Sequence, residues 1–151
     1  AIEKVCDSQQ FILGPAVTSF EKTAATACAV PHAVGCASGT DALWLALAAA
    51  RIGPDAGGSS SDAVITTPFS FFATISSILR AGAKPLLADI DPLTFNLSPA
   101  AVEEVLASTS GHTVKAILPV HLYGQCADWD AFAALPERYS LLLIEDAAQA
   151  F

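Results

Sequence analysis

Cations are scarce in this chain: seven Lys and Arg stand against fifteen Asp and Glu, a formal charge of −8 over 151 residues. No cluster of Lys or Arg occurs, and binding a nucleic-acid backbone needs several cations on one face, which argues against nucleic acid as a partner and for a small molecule or a protein. Long hydrophobic runs are missing as well. The longest, Ala42 to Ala50, is about half of what a membrane span needs, and no basic stretch followed by an apolar one opens the chain as a secretion signal would. Methionine is absent altogether. The cysteines Cys6, Cys28, Cys36 and Cys126 include no C-x-x-C pair and no histidine at metal spacing, which argues against zinc and against a disulfide framework. They are expected to be reduced, mostly buried thiols of a cytoplasmic protein. Among the nine glycines there is no G-x-G-x-x-G, which disfavours a nicotinamide dehydrogenase.

What the chain does have is apolar material, 53% of its residues against the usual 45–50% or so. By length it reads as one domain able to bury roughly 68–70% of its unfolded surface. Four apolar runs, 63–67, 85–89, 115–121 and 141–146, are continuous rather than alternating, as strands buried on both faces of a parallel sheet are. Helix-length segments separate them: Phe71 to Ala81, Pro99 to Ala107 with Ser98 as N-cap, and Asp128 to Leu135 before Pro136. Alternation of this kind predicts an α/β fold with right-handed crossovers and a doubly wound sheet. Ahead of it, Thr40 to Arg51 is strongly helical, Ala33 to Cys36 reads as one more short strand, and Gly53 to Asp62 has the composition of a mobile surface connection.

In open α/β sheets ligands bind beyond the carboxyl ends of the strands. Those ends carry 67–71, Asp89 to Asp91, His121 to Tyr123 and Glu145-Asp146, and the turn Ala37 to Asp41 opens a helix. A helix N-terminus offers free N–H groups to an anion, and Gly39 lets the backbone come close; capping explains the same turn. Asp146 follows four aliphatic residues, so an unpaired charge there is costly and a cationic partner is expected, with a structural hydrogen bond as the alternative. Phe69, Phe71 and Phe72 are either core or a flat wall for an aromatic ligand. His121 reads as a structural histidine, and Asp89 and Asp91 as metal ligands or turn residues. A phosphate cradle, an aromatic wall and a buried carboxylate together suit pyridoxal phosphate, whose ring nitrogen an acid must keep protonated.

Five stretches, SGTDAL at 38–43, TPFSFFAT at 67–74, GAKPLLADID at 82–91, PVHLYGQ at 119–125 and IEDAAQ at 144–149, resemble in order and spacing the motifs of the DegT/StrS family of pyridoxal-phosphate-dependent sugar aminotransferases. The resemblance runs from Gly14-Pro15 through Phe20-Glu21 to the end of the chain. It implies a three-layer sandwich around a mostly parallel sheet, the N-terminal part of the large domain of a fold-type I enzyme. Residues 1–13 would be an arm and 14–151 the first part of the cofactor-binding domain, incomplete at its C-terminus. Gly39 and Thr40 would bind the phosphate of pyridoxal 5'-phosphate, with Ser38 shaping the turn. Phe71 would stack on the pyridine ring, Asp146 pair with its nitrogen, and Gln149 hydrogen-bond its phenolic oxygen. Members of the family act in the cytoplasm as homodimers and move an amino group, usually from glutamate, to a keto sugar on a nucleotide.

The family's Schiff-base lysine lies beyond the Glu-Asp-x-Ala-Gln motif, so the resemblance places no catalytic residue in this chain and implies that it is inactive alone. Lys4 and Lys22 fall in the arm and the following helix, and Lys84 and Lys115 are placed at the amino ends of their strands, away from the site. Three rivals remain: a dehydratase of the same family, a metal-dependent phosphohydrolase using Asp89 and Asp91, and a non-enzymatic chain that binds a partner through a sheet edge.

Overall fold

The computed structural model describes residues 1–150 and divides the chain into two units, 1–37 and 38–151. The first carries α1 (Ile2–Ser8) and α2 (Pro15–Ala27), the latter started by Gly14 and by Pro15 in its first turn. Cys36 and its neighbours form no strand: residues 33–36 are irregular, and the Gly35 N–H donates to Glu21 Oε1 at 2.8 Å instead of entering a ladder. The strand expected there is corrected.

In the second unit four parallel strands, β1 (Asp62–Thr66), β2 (Lys84–Leu87), β3 (Thr113–Ile117) and β4 (Leu142–Leu143), stand in the order β2-β1-β3-β4. Because β1 is central and the chain first moves to β2 and then back past it to β3, the connections leave on opposite faces. Those connections are α4 (Phe72–Arg80) between β1 and β2, α5 (Pro99–Ser108) between β2 and β3, and α6 (Trp129–Ala133) with α7 (Leu135–Tyr139) between β3 and β4; α3 (Gly39–Ala49) precedes them all.

Alternation along β1 separates the two cores. Val64 packs with Leu43, Leu47 and Ile52 around α3 and with Ile78 of α4. Its neighbour Ile65 packs on the other face with Val102 of α5 and with Phe132 and Leu135 of the α6–α7 pair. Helices therefore cover both sides of the sheet, the three-layer α/β architecture expected of the sequence.

Several strands are shorter than their apolar runs. After β3, Leu118 still donates its N–H to Ile65 O at 2.8 Å, and Val120 still pairs with Asp146 as an isolated parallel bridge. The chain stays extended and buried here without keeping a regular ladder, so hydrophobicity marks the crevice as well as the strand. Lys115 lies mid-strand rather than at an amino end. Ala63 pairs with Val114 and Val64 with Ala116, which leaves the exposed Lys115 as the extra residue of a bulge. The expected helix 128–135 is two short ones, because Pro136 fits only the first turn of a new helix.

Gly53 to Asp62 is not a loose connection. The buried Asp62 carboxylate accepts the Gly53 and Ser59 N–H groups at 3.0 and 2.8 Å through Oδ2, and a short 3₁₀ turn fills Pro54–Ala56. Gly53, at φ 85°, has Ala81 O where a Cβ would stand. The four cysteines are exposed, not buried. They lie on helix ends and connecting segments that face outwards, so the usual burial of free cysteine does not apply.

Candidate active site

Loops that leave adjacent strands towards opposite faces open a crevice at their carboxyl ends. Here those strands are β1 and β3, and the segments following β1, β3 and β4 meet the start of α3 there. A cavity of about 490 Å³ results. It is lined by Ser38, Gly39, Thr40, Phe71, Asp146 and Gln149, with Leu43, Ser70 and Val120 among the remaining walls. All six residues singled out for cofactor binding thus face one space. A larger cleft of about 900 Å³ runs along residues 9–22 of the first unit and contains none of them.

At one end, Ser38 caps α3 in an extended conformation. Its Oγ accepts the Asp41 N–H at 3.2 Å and donates to Asp41 Oδ2 at 2.9 Å. This hydroxyl is spent on the helix start, which agrees with a role in shaping the turn. Helix geometry leaves the first N–H groups, those of Gly39 and Thr40, without intrahelical acceptors, and a Cβ built on Gly39 would meet nothing within 4 Å. The positive end of α3 therefore opens onto empty space of the kind an anion fills. Asp41 does not cancel it, because Arg80 Nη1 donates to Asp41 Oδ1 at 2.9 Å while its guanidinium covers the Trp44 ring at 4.4 Å. The Arg80 hydrogen bond, followed by that of Ser38, holds the Asp41 carboxyl below its ordinary value.

At the other end stands Asp146, 7% exposed. No ion pair reaches it among the described residues; its oxygens are held by donors instead. Thr74 Oγ1 donates to Oδ2 and the Ala148 N–H donates to Oδ1, both at 3.2 Å. A carboxylate placed so still has lone pairs to offer a cationic N–H in the cavity. Gln149 Oε1 accepts the Tyr123 N–H at 2.6 Å; this fixes the amide so that its NH₂ is left to donate. Between the ends, Phe71 is 72% exposed. None of Phe69, Phe71 and Phe72 is core, and Phe71 lines the cavity with a free aromatic surface.

His121 is structural, as its sequence position suggested. Its Nδ1 accepts the Ala127 N–H at 3.1 Å, so the proton is on Nε2, which donates to Glu145 Oε1 at 2.7 Å. Asp89 and Asp91 are turn residues. Asp91 Oδ1 accepts the Leu93 and Thr94 N–H groups, bonds that hold its carboxyl below its ordinary value, and no group of three or more His, Cys, Asp or Glu suited to a metal is assembled among the described residues. Lys84 and Lys115 do not line the cavity. Ser70 and Thr74 belong to the TPFSFFAT stretch, yet the sequence assigns them no role; the structure puts Ser70 on the cavity wall and Thr74 on the Asp146 carboxylate. The available signal was a threonine in the first turn of a helix opening at a strand end.

The DegT/DnrJ/EryC1/StrS aminotransferase family model matches residues 1–151. The chain belongs to this family. A pleiotropic regulatory protein of Geobacillus stearothermophilus is 50% identical over 149 residues, 99% of this chain and 37% of that protein. UDP-2-acetamido-2-deoxy-3-oxo-D-glucuronate aminotransferase of Pseudomonas aeruginosa is 43% identical, over 99% of this chain and 39% of its own. Among solved structures, DesV of S. venezuelae in complex with ketimine intermediate superimposes with a TM-score of 0.88 at 40% identity, covering 99% of this chain and 38% of that one. This member of the family thus spans well under half the length of the relatives it matches. No helix among the described residues is long and apolar enough to cross a membrane.

Proposed function

We propose that the protein is a pyridoxal-phosphate-dependent aminotransferase that moves an amino group from an amino acid, glutamate in the first instance, to a keto sugar carried on a nucleotide. The observation that carries this reading is the meeting of Ser38, Gly39, Thr40, Phe71, Asp146 and Gln149 around one cavity of about 490 Å³. Their chemistry fits the cofactor end to end. The open N-terminus of α3 suits a phosphate, the buried carboxylate without a cation suits a protonated ring nitrogen, and the oriented Gln149 amide suits a phenolic oxygen.

Pyridoxal 5'-phosphate bound there supplies an electron sink for the carbon that exchanges its amino group. The chain's own residues bind and orient. The Gly39 and Thr40 N–H groups take the phosphate, Ser38 and the Asp41–Arg80 pair keep that helix start rigid, Phe71 covers one ring face, and Asp146 holds the proton at the ring nitrogen. In this reading the catalytic amine comes from outside these 151 residues, and the stretch alone is silent. Residues 1–13 act as an arm and 14–151 as the first part of the large domain of a cytoplasmic homodimer.

The test uses the full-length protein. Pyridoxal 5'-phosphate is expected to bind with a visible absorption band, glutamate to discharge that band, and a nucleotide-linked keto sugar to restore it with gain of an amino group. Loss of a sugar hydroxyl without amino transfer would assign the dehydratase instead. No binding of the cofactor, or no gain of an amino group by any such sugar, would overturn the reading.

A further inference from the structure

We infer that Thr74, backed by Ser70, is the positioning residue of the Asp146 carboxylate, an inference that rests on the cofactor reading above. Thr74 is completely buried in the first turn of α4. Serine and threonine hydroxyls within a helix usually bond back to the carbonyl of the preceding turn, and Ser76 and Ser77 of the same helix do so, to Ala73 O and Thr74 O. The Thr74 hydroxyl instead reaches across 72 residues of sequence to Asp146 Oδ2.

The direction of the chain of bonds follows from proton counting. An ionised carboxylate only accepts, so the single Thr74 proton goes to Asp146. At the 2.9 Å contact between Ser70 Oγ and Thr74 Oγ1, Ser70 must then be the donor. Both hydroxyls therefore point their protons towards Asp146. The Ala148 N–H holds the other carboxylate oxygen, and two tethers on two oxygens fix the plane of the group, leaving it no free rotation.

Phe71, which stacks in the proposed reading, is the N-cap of α4, and its carbonyl accepts the Thr74 N–H at 3.2 Å. One helical turn thus carries both the ring that covers the face of a flat ligand and the hydroxyl that aims the carboxylate at its edge. Face and edge recognition are set in register by the start of α4.

Equilibrium titration of the full-length protein with pyridoxal 5'-phosphate, followed by visible absorption, tests this. Thr74→Val keeps the branched shape and removes the donor; it is expected to weaken binding about tenfold, the size of one lost charge-assisted hydrogen bond, and to shift the pH dependence of the bound absorption band. Thr74→Ser restores both, which a purely packing role would not do. Ser70→Ala moves both readouts in the same direction by less, and serves if Thr74→Val does not fold by circular dichroism. Wild-type affinity and an unaltered band in folded Thr74→Val, where Asp146→Asn loses both, would overturn the inference and leave the cofactor reading standing. A wild-type protein that does not bind pyridoxal 5'-phosphate overturns the cofactor reading and this inference with it.

Discussion

Gly39 has no neighbour within 4 Å of the place a side chain would begin, so the fold makes no demand on its being glycine. Replacement by alanine adds a good helix former at the start of α3, and the stability change is expected to stay within about 0.5 kcal/mol. The same methyl enters the space assigned to the phosphate, so affinity for pyridoxal 5'-phosphate should fall about tenfold, or about 1.4 kcal/mol. Urea melts and cofactor titration of Gly39→Ala separate the two. Nearby, Asp41 is stabilised as an anion by Arg80 and Ser38. A carboxyl held below its ordinary value of 3.8 adds stability at higher pH and loses it as pH falls through the lowered value. Stability curves of wild type and Asp41→Asn should therefore differ most near neutrality and converge in acid below that value. The pair is exposed enough that added salt should shrink the difference.

Among the elements, the segment from Gly53 to Asp62 shows where composition misleads. Glycines and serines describe a flexible linker, yet a single buried carboxylate just ahead of the apolar run ties the segment back on itself. Asp62→Ala would strand the buried Gly53 N–H and free the part-buried one of Ser59, and is expected to cost about 1–3 kcal/mol in denaturant unfolding. Asp62→Asn should cost less: one amide oxygen can still accept both bonds, and the lost oxygen, Oδ1, has no partner. The apolar runs marked all four strands, but only β1 is buried along its whole length; in β2 and β4, Leu87 and Leu142 are exposed, so burial on both faces was not the general cause. The carboxyl ends of the strands were not legible, since Leu118 and Val120 stay buried at the crevice after the ladder stops. Site positions were legible where chemistry is local, as at the Ser38 cap. The Thr74–Asp146 bond was not, because its partners are brought together only by the sheet order. The bulge at Lys115 was equally hidden, for pairing register leaves no mark in a run of like residues.

Viewed whole, the second unit is a sheet with a helical layer on each face, and the fold class was readable from alternation alone. Exposure was less so. The lack of any zinc or disulfide pattern suggested buried thiols, whereas all four are exposed in the chain; a thiol reagent should modify all four without denaturant, and fewer than four would locate the cysteines that assembly covers. The order β2-β1-β3-β4 also makes the two borders of the sheet unequal. Ala88 donates its N–H to Thr66 O of β1, and alternation along the strand turns the backbone of Pro85 away from β1, to the side where β2 has no neighbour among the described residues. Proline has no N–H to give there, so a strand laid along that border, from a second copy or from a stray peptide, finds the ladder broken in its middle. Lateral growth of the sheet is closed on that side and left to the border formed by β4.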